Sequence, residues 1–390
     1  MSDIYQAPHL KRSHYTVPLD EEKRILKELS ARDDPESKRL LRYLAFPDLT
    51  RQPNSPIAEL TRRIINLSDF ENFDLIQVPE IVSVKESFDL FDFAPDHPAR
   101  NKSDTYYVNG DNVLRPHTTI MWYYHLRQPG VKKKIAAGQN VGALCFGKVY
   151  RKDEIDHRHM NVFHQMDGWF LAPKKEKEIG RQDLEEILIK IARTIFGSQI
   201  KYRFNHDNFP YTDPSLEMEI ERDGQWVEVL GAGVVKGSVL KKLGVESTEY
   251  NGWAFGFGLE RLAILSMKLP DIRLLWSEDP RVKRQLKLEQ AYKEVSKYPP
   301  IIRDISFIIP DTFVANDYFD LIRDLSGNLV EEVVLLDKYN DVAKFGAGKL
   351  SYTYRIVYRS IDRTLTNTEV NALHEKLRAR TEMEFSAKLR

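Results

Sequence analysis

Cysteine is nearly absent from this chain: its 390 residues contain one, Cys145. A single thiol excludes an intrachain disulfide framework and a zinc site built on several cysteines, and it points to a reducing compartment. Long apolar runs are missing as well, and none approaches the about 18 residues that a membrane-spanning helix needs. No charge of one sign predominates, since Lys plus Arg and Asp plus Glu number 58 each. A neutral total neither demands nor excludes nucleic acid, because a local patch can hold phosphate. Internal repeats, low-complexity tracts, a Walker loop and a dinucleotide fingerprint do not occur. The N-terminus, Met1 to Pro8, carries an early acid and no apolar stretch, so it reads neither as a secretory signal nor as an Arg-rich transit peptide. The expected compartment is the cytoplasm, or the mitochondrial matrix if a presequence was removed, with no membrane partner.

What is present supports real cores: 42% of residues are apolar, and the length allows two or three domains. Residues 1–70 read as a helical N-terminal extension, with helical spacing over 21–44, a proline-punctuated stretch over 47–56 and a short helix over 58–67. Residues 71–270 alternate strand-like and helical runs. Their clearest helix is Arg181–Phe196, apolar at 184, 187, 188, 191, 192 and 195 and stopped by Gly197. Residues 271–296 read as a linker. Residues 297–390 then read strand (301–309), helix from Asn316 to Gly327, strand (329–339), strand (350–358), a capping box Thr366–Glu369 opening a last helix, and a short final strand (387–390). That order is βαββαβ, the ferredoxin-like arrangement. The fold class expected is α+β.

Two elements carry chemistry. The first runs Gly147-Lys148-Val149-Tyr150-Arg151-Lys152-Asp153-Glu154 and continues through His159 to Phe163, His164 and Gln165. The second is Gly252 to Arg261, with Gly256, Gly258 and Glu260 inside it. Each sets an arginine in an apolar run, and a buried guanidinium is costly unless it meets an anion. Arg151 at a strand end can grip an α-phosphate bidentately. Asp153 and Glu154 can orient it or meet the amino group of a base, and Phe163 offers a ring for a base to stack on. Arg261 at a helix start after a glycine turn can hold β- and γ-phosphates, with Gly258 allowing close approach. Glu228, in a strand-like run, can carry Mg²⁺ bridging the phosphates of ATP. Taken singly these patterns are ordinary: Arg-x-Asp is a common surface pair and a lone Gly-x-Gly is a turn. Their joint order and spacing carry the reading.

The pair of elements resembles motifs 2 and 3 of class II aminoacyl-tRNA synthetases. Four further strings look like the catalytic chain of phenylalanyl-tRNA synthetase: Pro95–Arg100 with Asp104–Tyr107, Leu114–Thr119, Phe163–Gln165 and Asn208–Ser215. The C-terminal unit is similar to the anticodon-binding domain of the same enzymes, through Lys297-Tyr298-Pro299, Arg303-Asp304, Arg363–Thr366 and Glu369–Asn371. The fusion of both domains on one chain resembles the compact mitochondrial form. The resemblance implies an antiparallel catalytic sheet flanked by helices. It implies ATP-dependent activation of phenylalanine to the adenylate and transfer to the 3′ end of tRNA(Phe), with Mg²⁺. It implies that Arg151, His159, Phe163 and Arg261 hold ATP, with Arg151 and Arg261 as the catalytic pair. His117, Thr119, Gln165 and Asp167 would surround the amino acid's ammonium and backbone. Phe209 and Tyr211, two apart on a strand and so on one face, would line the side-chain pocket, with Ala254 as its floor.

Four positions depart from the family pattern, which has Ser at Thr119, Gln at Trp122, Glu at Asp167 and Phe at Tyr211. They leave open a paralogue that activates another aromatic or non-standard amino acid, and a non-catalytic tRNA-binding paralogue is the other alternative. No segment is long enough for an editing domain. In the C-terminal unit Lys349, Arg355, Arg359 and Arg363 form a candidate basic edge for tRNA, although basic and acidic residues from 297 onward are equal, fourteen each. Tyr352 and Tyr354 alternate onto the apolar face, as base-stacking platform or as core. A monomer is expected, with a homodimer left open.

Overall fold

A computed structural model of the chain describes residues 12–294 and 298–390. The expected boundary between linker and C-terminal domain, at 296 and 297, lies outside the described residues. Two compact units emerge. The first comprises the described residues up to 151, then 162–268 and 287–291; the second comprises 152–161, 269–286 and the described residues from 292 to 390.

The first unit is built on one eight-stranded sheet. Its strands are β1 (His14–Thr16), β2 (Asp74–Gln77), β3 (Val141–Tyr150), β4 (Val162–Pro173), β5 (Tyr202–Asp207), β6 (Thr212–Arg222), β7 (Gln225–Val235) and β8 (Tyr250–Gly258), in the spatial order β1-β2-β3-β4-β8-β7-β6-β5. Six of these strands form an antiparallel run, as expected. The other edge differs: β1 pairs with β2, and β2 with β3, in parallel. β3 is buried along its whole length, which explains its near-continuous apolar sequence: both faces are covered. Helix α5 (Arg181–Phe196) matches its expected span and buries Leu184, Leu188, Ile191 and Ile195. Each such side chain contributes about 1.5–3 kcal/mol of burial. Asp183 accepts from the Gly180 amide to start the helix, and Gly197 stops it at φ +90°.

The N-terminal extension is not a separate layer. Helix α1 (Asp20–Ser30) opens with acidic residues in its first turn, while α2 (Pro35–Leu44) and α3 (Pro56–Ile65) start at Asp34 and Ser55 caps with proline in the first turn. Helices α1 and α2 send Ile25, Leu29, Leu40 and Tyr43 into a core shared with Ile81, Leu114, Tyr150 and Val162. Glu22 is buried and accepts from the amides of Glu80 and Ile81 at 2.8 and 3.0 Å. A boundary at residue 70 is therefore corrected: β1 belongs to the same sheet as the strands after it.

The second unit carries β9 (Ile301–Pro310), α7 (Ala315–Ser326), β10 (Val330–Tyr339), β11 (Lys349–Tyr358), α8 (Asn367–Phe385) and β12 (Lys388–Leu389), the expected βαββαβ order. The sheet order is β10-β11-β9-β12. Thr366 and Glu369 close the capping box at the start of α8. Tyr352 and Tyr354 are buried with Phe307 and Tyr318, which decides between platform and core in favour of core. The stretch read as a linker also folds in large part. Ile272, Leu274, Leu275 and Val282 are buried, and Arg273 is fixed by Asp271 and by the Val330 carbonyl at 2.7 Å. Apolar side chains inside a charged sequence made it fold rather than float.

Candidate functional site

The site lies in the first unit, where the end of β3, the start of β4 and the end of β8 meet. Antiparallel pairing sets Gly258 opposite Gln165 and Gly256 opposite Asp167. Arg151 follows directly on β3. Its Nε donates to the Pro116 carbonyl at 2.8 Å, its Nη2 lies 3.4 Å from Gln165 Oε1, and its guanidinium sits 5.3 Å over the Phe163 ring. A methyl group on Gly258 would come within 4.0 Å of the same ring, so Phe163 is flanked by Arg151 and by the glycine turn. Helix α6 (Leu259–Met267) starts immediately after and carries Arg261 in its first turn. The two arginines are thus brought to one end of the sheet.

Arg261 meets Glu228: Nη1 lies 3.1 Å from its carboxylate and 3.3 Å from its main-chain oxygen. The residue expected to carry Mg²⁺ is therefore paired with the arginine expected to grip phosphate. One half-exposed carboxylate suits Mg²⁺ arriving with a nucleotide, because that ion is usually held by one or two carboxylates plus the phosphates themselves.

Beside Phe163 lies a buried polar cluster. Asp167 Oδ1 accepts from Thr118 Oγ1 and Gln165 Nε2, both at 2.8 Å, and Oδ2 accepts from Thr119 Oγ1 at 2.5 Å. Burial pushes the Asp167 carboxyl up to about 6, against the lowering effect of these donors and of Arg151. Tyr211 stands in the same cluster beside Thr119, and burial raises the pKa of its hydroxyl. His117 is driven down to about 3 by burial and next by the Arg151 charge, so its ring is neutral. Among the described residues neither ring nitrogen of His117 has a hydrogen-bond partner of full geometry, which suits a group that waits for a ligand. His117, Thr119, Gln165 and Asp167 are all brought together here.

The aromatic wall has one correction. Phe209 and Tyr211 do not lie on a strand; they occupy the turn between β5 and β6. Their rings still face one way, stacked at 6.0 Å, because the turn is tied down by Ser215, whose hydroxyl accepts from the Phe209 amide. Tyr211 meets Trp122 and Phe91 edge-on at 5.7 and 6.1 Å. Ala254 is buried and stands opposite Trp169 in the β4–β8 register. All four departures from the family pattern (Thr119, Trp122, Asp167 and Tyr211) form one contact network.

Sequence reasoning missed the support beneath the arginines. Glu260 is buried and accepts from the His164 amide at 2.8 and 2.9 Å and meets His164 Nδ1 at 2.6 Å, while the Leu49 amide donates to His164 Nε2 at 2.9 Å. The Glu-Arg pair at positions 260 and 261 was the available signal: one partner points into the protein and the other out.

Other expected site residues lie in the second unit. Asp153, Glu154 and His159 belong to segment 152–161. There the Asp153 and Glu154 carbonyls accept from Arg323, and His159 pairs with Asp156 at 2.8 Å. The candidate basic edge is partly paired with carboxylates. Arg355 forms a two-bond pair with Asp304, Arg359 pairs with Glu331 at 3.0 Å, and Arg363 pairs with Glu369. Cross-strand and capping carboxylates thus stand beside three of the four cations; Lys349 is exposed.

Comparison with known proteins agrees with this geometry. The tRNA synthetases class II core domain (F) matches residues 44–286, and the Ferredoxin-fold anticodon binding domain matches 296–390. The chain is 38% identical to the chloroplastic/mitochondrial phenylalanine–tRNA ligase of Arabidopsis thaliana, over 88% of this chain and 80% of the relative. It is 36% identical to the mitochondrial phenylalanine–tRNA ligase of Mus musculus, over 77% of this chain and 71% of the relative. It is 34% identical to the phenylalanine–tRNA ligase alpha subunit of Coxiella burnetii, over 60% of this chain and 67% of the relative. The fold and site thus define a class II aminoacyl-tRNA synthetase core, and the enzyme is an aminoacyl-tRNA ligase. More narrowly, the chain belongs to the phenylalanine–tRNA ligase family.

Proposed function

We propose that the enzyme condenses phenylalanine with MgATP and passes the phenylalanyl group to the 3′ end of tRNA(Phe). The amino acid carboxylate attacks the α-phosphorus, pyrophosphate leaves with its electron pair, and a tRNA hydroxyl then displaces AMP. Little covalent help is required of the protein; positioning and charge stabilisation carry the step. Arg151 would hold the α-phosphate, Phe163 the adenine, Gly258 and Arg261 the outer phosphates, and Glu228 the Mg²⁺ that comes with them. Asp167, with Gln165, Thr119 and His117, would receive the substrate's ammonium and backbone. Phe209, Tyr211 and Ala254 would surround its ring. The observation that supports this reading most is the Asp167 cluster lying beside Arg151 and Phe163, an amino-acid site adjoining a nucleotide site.

ATP–pyrophosphate exchange with each of the twenty amino acids, followed by charging of tRNA, tests the proposal. Exchange with phenylalanine is expected; exchange with a different amino acid, or with none, overturns it. The names of the Arabidopsis and mouse relatives carry organellar compartments, and we propose an organelle matrix as the place of work, checked by imaging a tagged full-length protein. A monomer is proposed in solution, checked by light scattering.

The pH dependence follows from Asp167. Its carboxyl titrates near 6 in the empty site. Below that value it gains a proton and loses the charge an ammonium needs. KM for phenylalanine should therefore rise about tenfold per pH unit below 6, while KM for ATP stays level. The stability sign is the reverse: with a folded value above the ordinary one, this group favours the empty fold at low pH and loses that contribution as pH rises through 6. Bound phenylalanine should offset the loss, read as a larger ligand-induced Tm shift at pH 7.5 than at pH 5.

Tyr211→Phe tests the polar end of the wall. The hydroxyl stands beside Thr119 and Asp167, and its loss should change stability by no more than about 1 kcal/mol. Exchange with phenylalanine should persist, since the ring contacts remain. Loss of exchange with phenylalanine would place the hydroxyl in the reaction itself.

A further inference from the structure

Behind the aromatic wall lies a second buried polar chain that the reaction scheme above does not use. Asp74, at the start of β2, accepts from the Ser13 amide on Oδ1 at 3.2 Å and meets His125 Nε2 on Oδ2 at 3.0 Å. His125 sits in helix α4 (Met121–Leu126) and is fully buried. Its Nδ1 lies 3.2 Å from Trp169 Nε1. An indole N–H can only donate, so Nδ1 must accept. The ring proton therefore sits on Nε2 and is given to Asp74. Burial lowers the His125 pKa against the raising effect of Asp74, in keeping with this neutral tautomer. The Lys134 ammonium lies 3.9 Å from Asp74, and His14 also feels the Asp74 charge.

Trp169 is thus oriented by a hydrogen bond. Trp122 is not: its Nε1 is buried and has no hydrogen-bond partner among the described residues. What positions Trp122 is packing. It lies flat on Trp169, ring centroids 5.2 Å apart and planes within 6°, and presents its ring at 90° to Tyr211 at 5.7 Å. Trp169 also stands beside Ala254 in the sheet register. The chain Asp74–His125–Trp169–Trp122–Tyr211 hence runs from the parallel edge of the sheet to the wall of the ring pocket.

We propose that His125, held in one tautomer by Asp74, is a positioning residue for amino-acid selection: it locks the Trp169–Trp122 stack and so sets the shape of the pocket that takes the substrate's aromatic ring. This rests on the reading of that wall as the phenylalanine pocket. The nucleotide site lies across the Phe163 end of the sheet and does not share these groups, so ATP binding is insulated from the relay. A fixed wall matters because an apolar pocket discriminates weakly against an added hydroxyl unless its shape is rigid.

The experiment compares His125→Leu and His125→Gln in the full chain, with Asp74→Asn as a milder third variant. Leucine removes both hydrogen bonds. The glutamine amide can accept from Trp169 and donate to Asp74. In exchange assays His125→Leu should raise KM for phenylalanine about tenfold or more, change KM for ATP less than about twofold, and narrow the preference for phenylalanine over tyrosine. The near-UV circular dichroism of the stacked indoles should weaken in parallel. His125→Gln should restore most of both signals. Unchanged KM for phenylalanine and unchanged selectivity in a folded His125→Leu protein overturn the proposal, as does an equal rise of both KM values. If His125→Leu does not fold, Asp74→Asn decides: a smaller shift confined to phenylalanine supports the relay, and no shift overturns it. Wild-type protein that shows no phenylalanine-dependent exchange sinks the functional reading instead, and is seen before any variant is made.

Discussion

Replacing Arg151 by alanine is expected to slow phenylalanine-dependent ATP–pyrophosphate exchange by about 10²–10³-fold, the range seen when one preorganised donor to developing charge is removed. The loss should fall mainly on kcat. The geometry explains the size. Arg151 is held from behind by the Pro116 carbonyl, touches Gln165 and covers Phe163, so its fork is oriented before any nucleotide arrives. Arg151→Lys should recover little, because an ammonium offers neither the planar cover over Phe163 nor two parallel N–H groups. Steady-state exchange at saturating phenylalanine, with ATP varied, checks both variants. Full activity in Arg151→Lys would show that charge alone suffices.

Gly256→Ala should cost as much, for a purely steric reason. A Cβ at this position would stand 2.7 Å from Asp167 Oδ1 and 3.1 Å from Gln165 Nε2. The backbone there is not in the left-handed region, so the fold itself has no quarrel with alanine. The methyl must instead push the carboxylate off its hydroxyl donors. A fall of about 100-fold in kcat/KM for phenylalanine is expected, as for other displacements of about 1 Å in a positioned site, with Tm nearly unchanged. Gly252→Ala makes the control. Its Cβ would sit 1.9 Å from the Phe170 carbonyl oxygen, part of the backbone, so that variant should fail to fold rather than fail to bind. Circular dichroism and exchange measured side by side separate the two outcomes.

The comparison between these glycines shows where sequence reasoning stops. Both stand in one short apolar run, and nothing local distinguishes them. Only the β4–β8 register puts Gly256 over Asp167 and Gly252 over a main-chain oxygen. The same limit applies to Phe209 and Tyr211. Alternation suggested a strand, yet Ser215 and the chain around Pro210 hold a turn that presents both rings. It applies to Arg355, Arg359 and Arg363, whose cross-strand and capping carboxylate partners nothing local in the sequence announced. It applies most to Asp74, His125 and Trp169. They are far apart in the chain, and each alone reads as an ordinary core or strand residue.

The sequence by itself determined what depends on near neighbours along the chain. Helical period and stop glycine placed α5; the Thr366–Glu369 capping box opened α8; the alternation over 350–358 placed β11, while its tyrosines stayed open between platform and core until the structure buried them. The order and spacing of Arg151 to Phe163 and of Gly256 to Arg261 pointed to a nucleotide pocket, and their resemblance to class II synthetase motifs implied the reaction class. Tertiary structure alone decided the parallel entry of β1 and β2 into the sheet, the burial of segment 269–286, the pairing of Glu228 with Arg261, and the relay behind the pocket wall. The physical reason is that capping and periodicity act over one or two turns, whereas charge pairing and close packing are settled by which surfaces the folded chain brings within a few ångströms of each other.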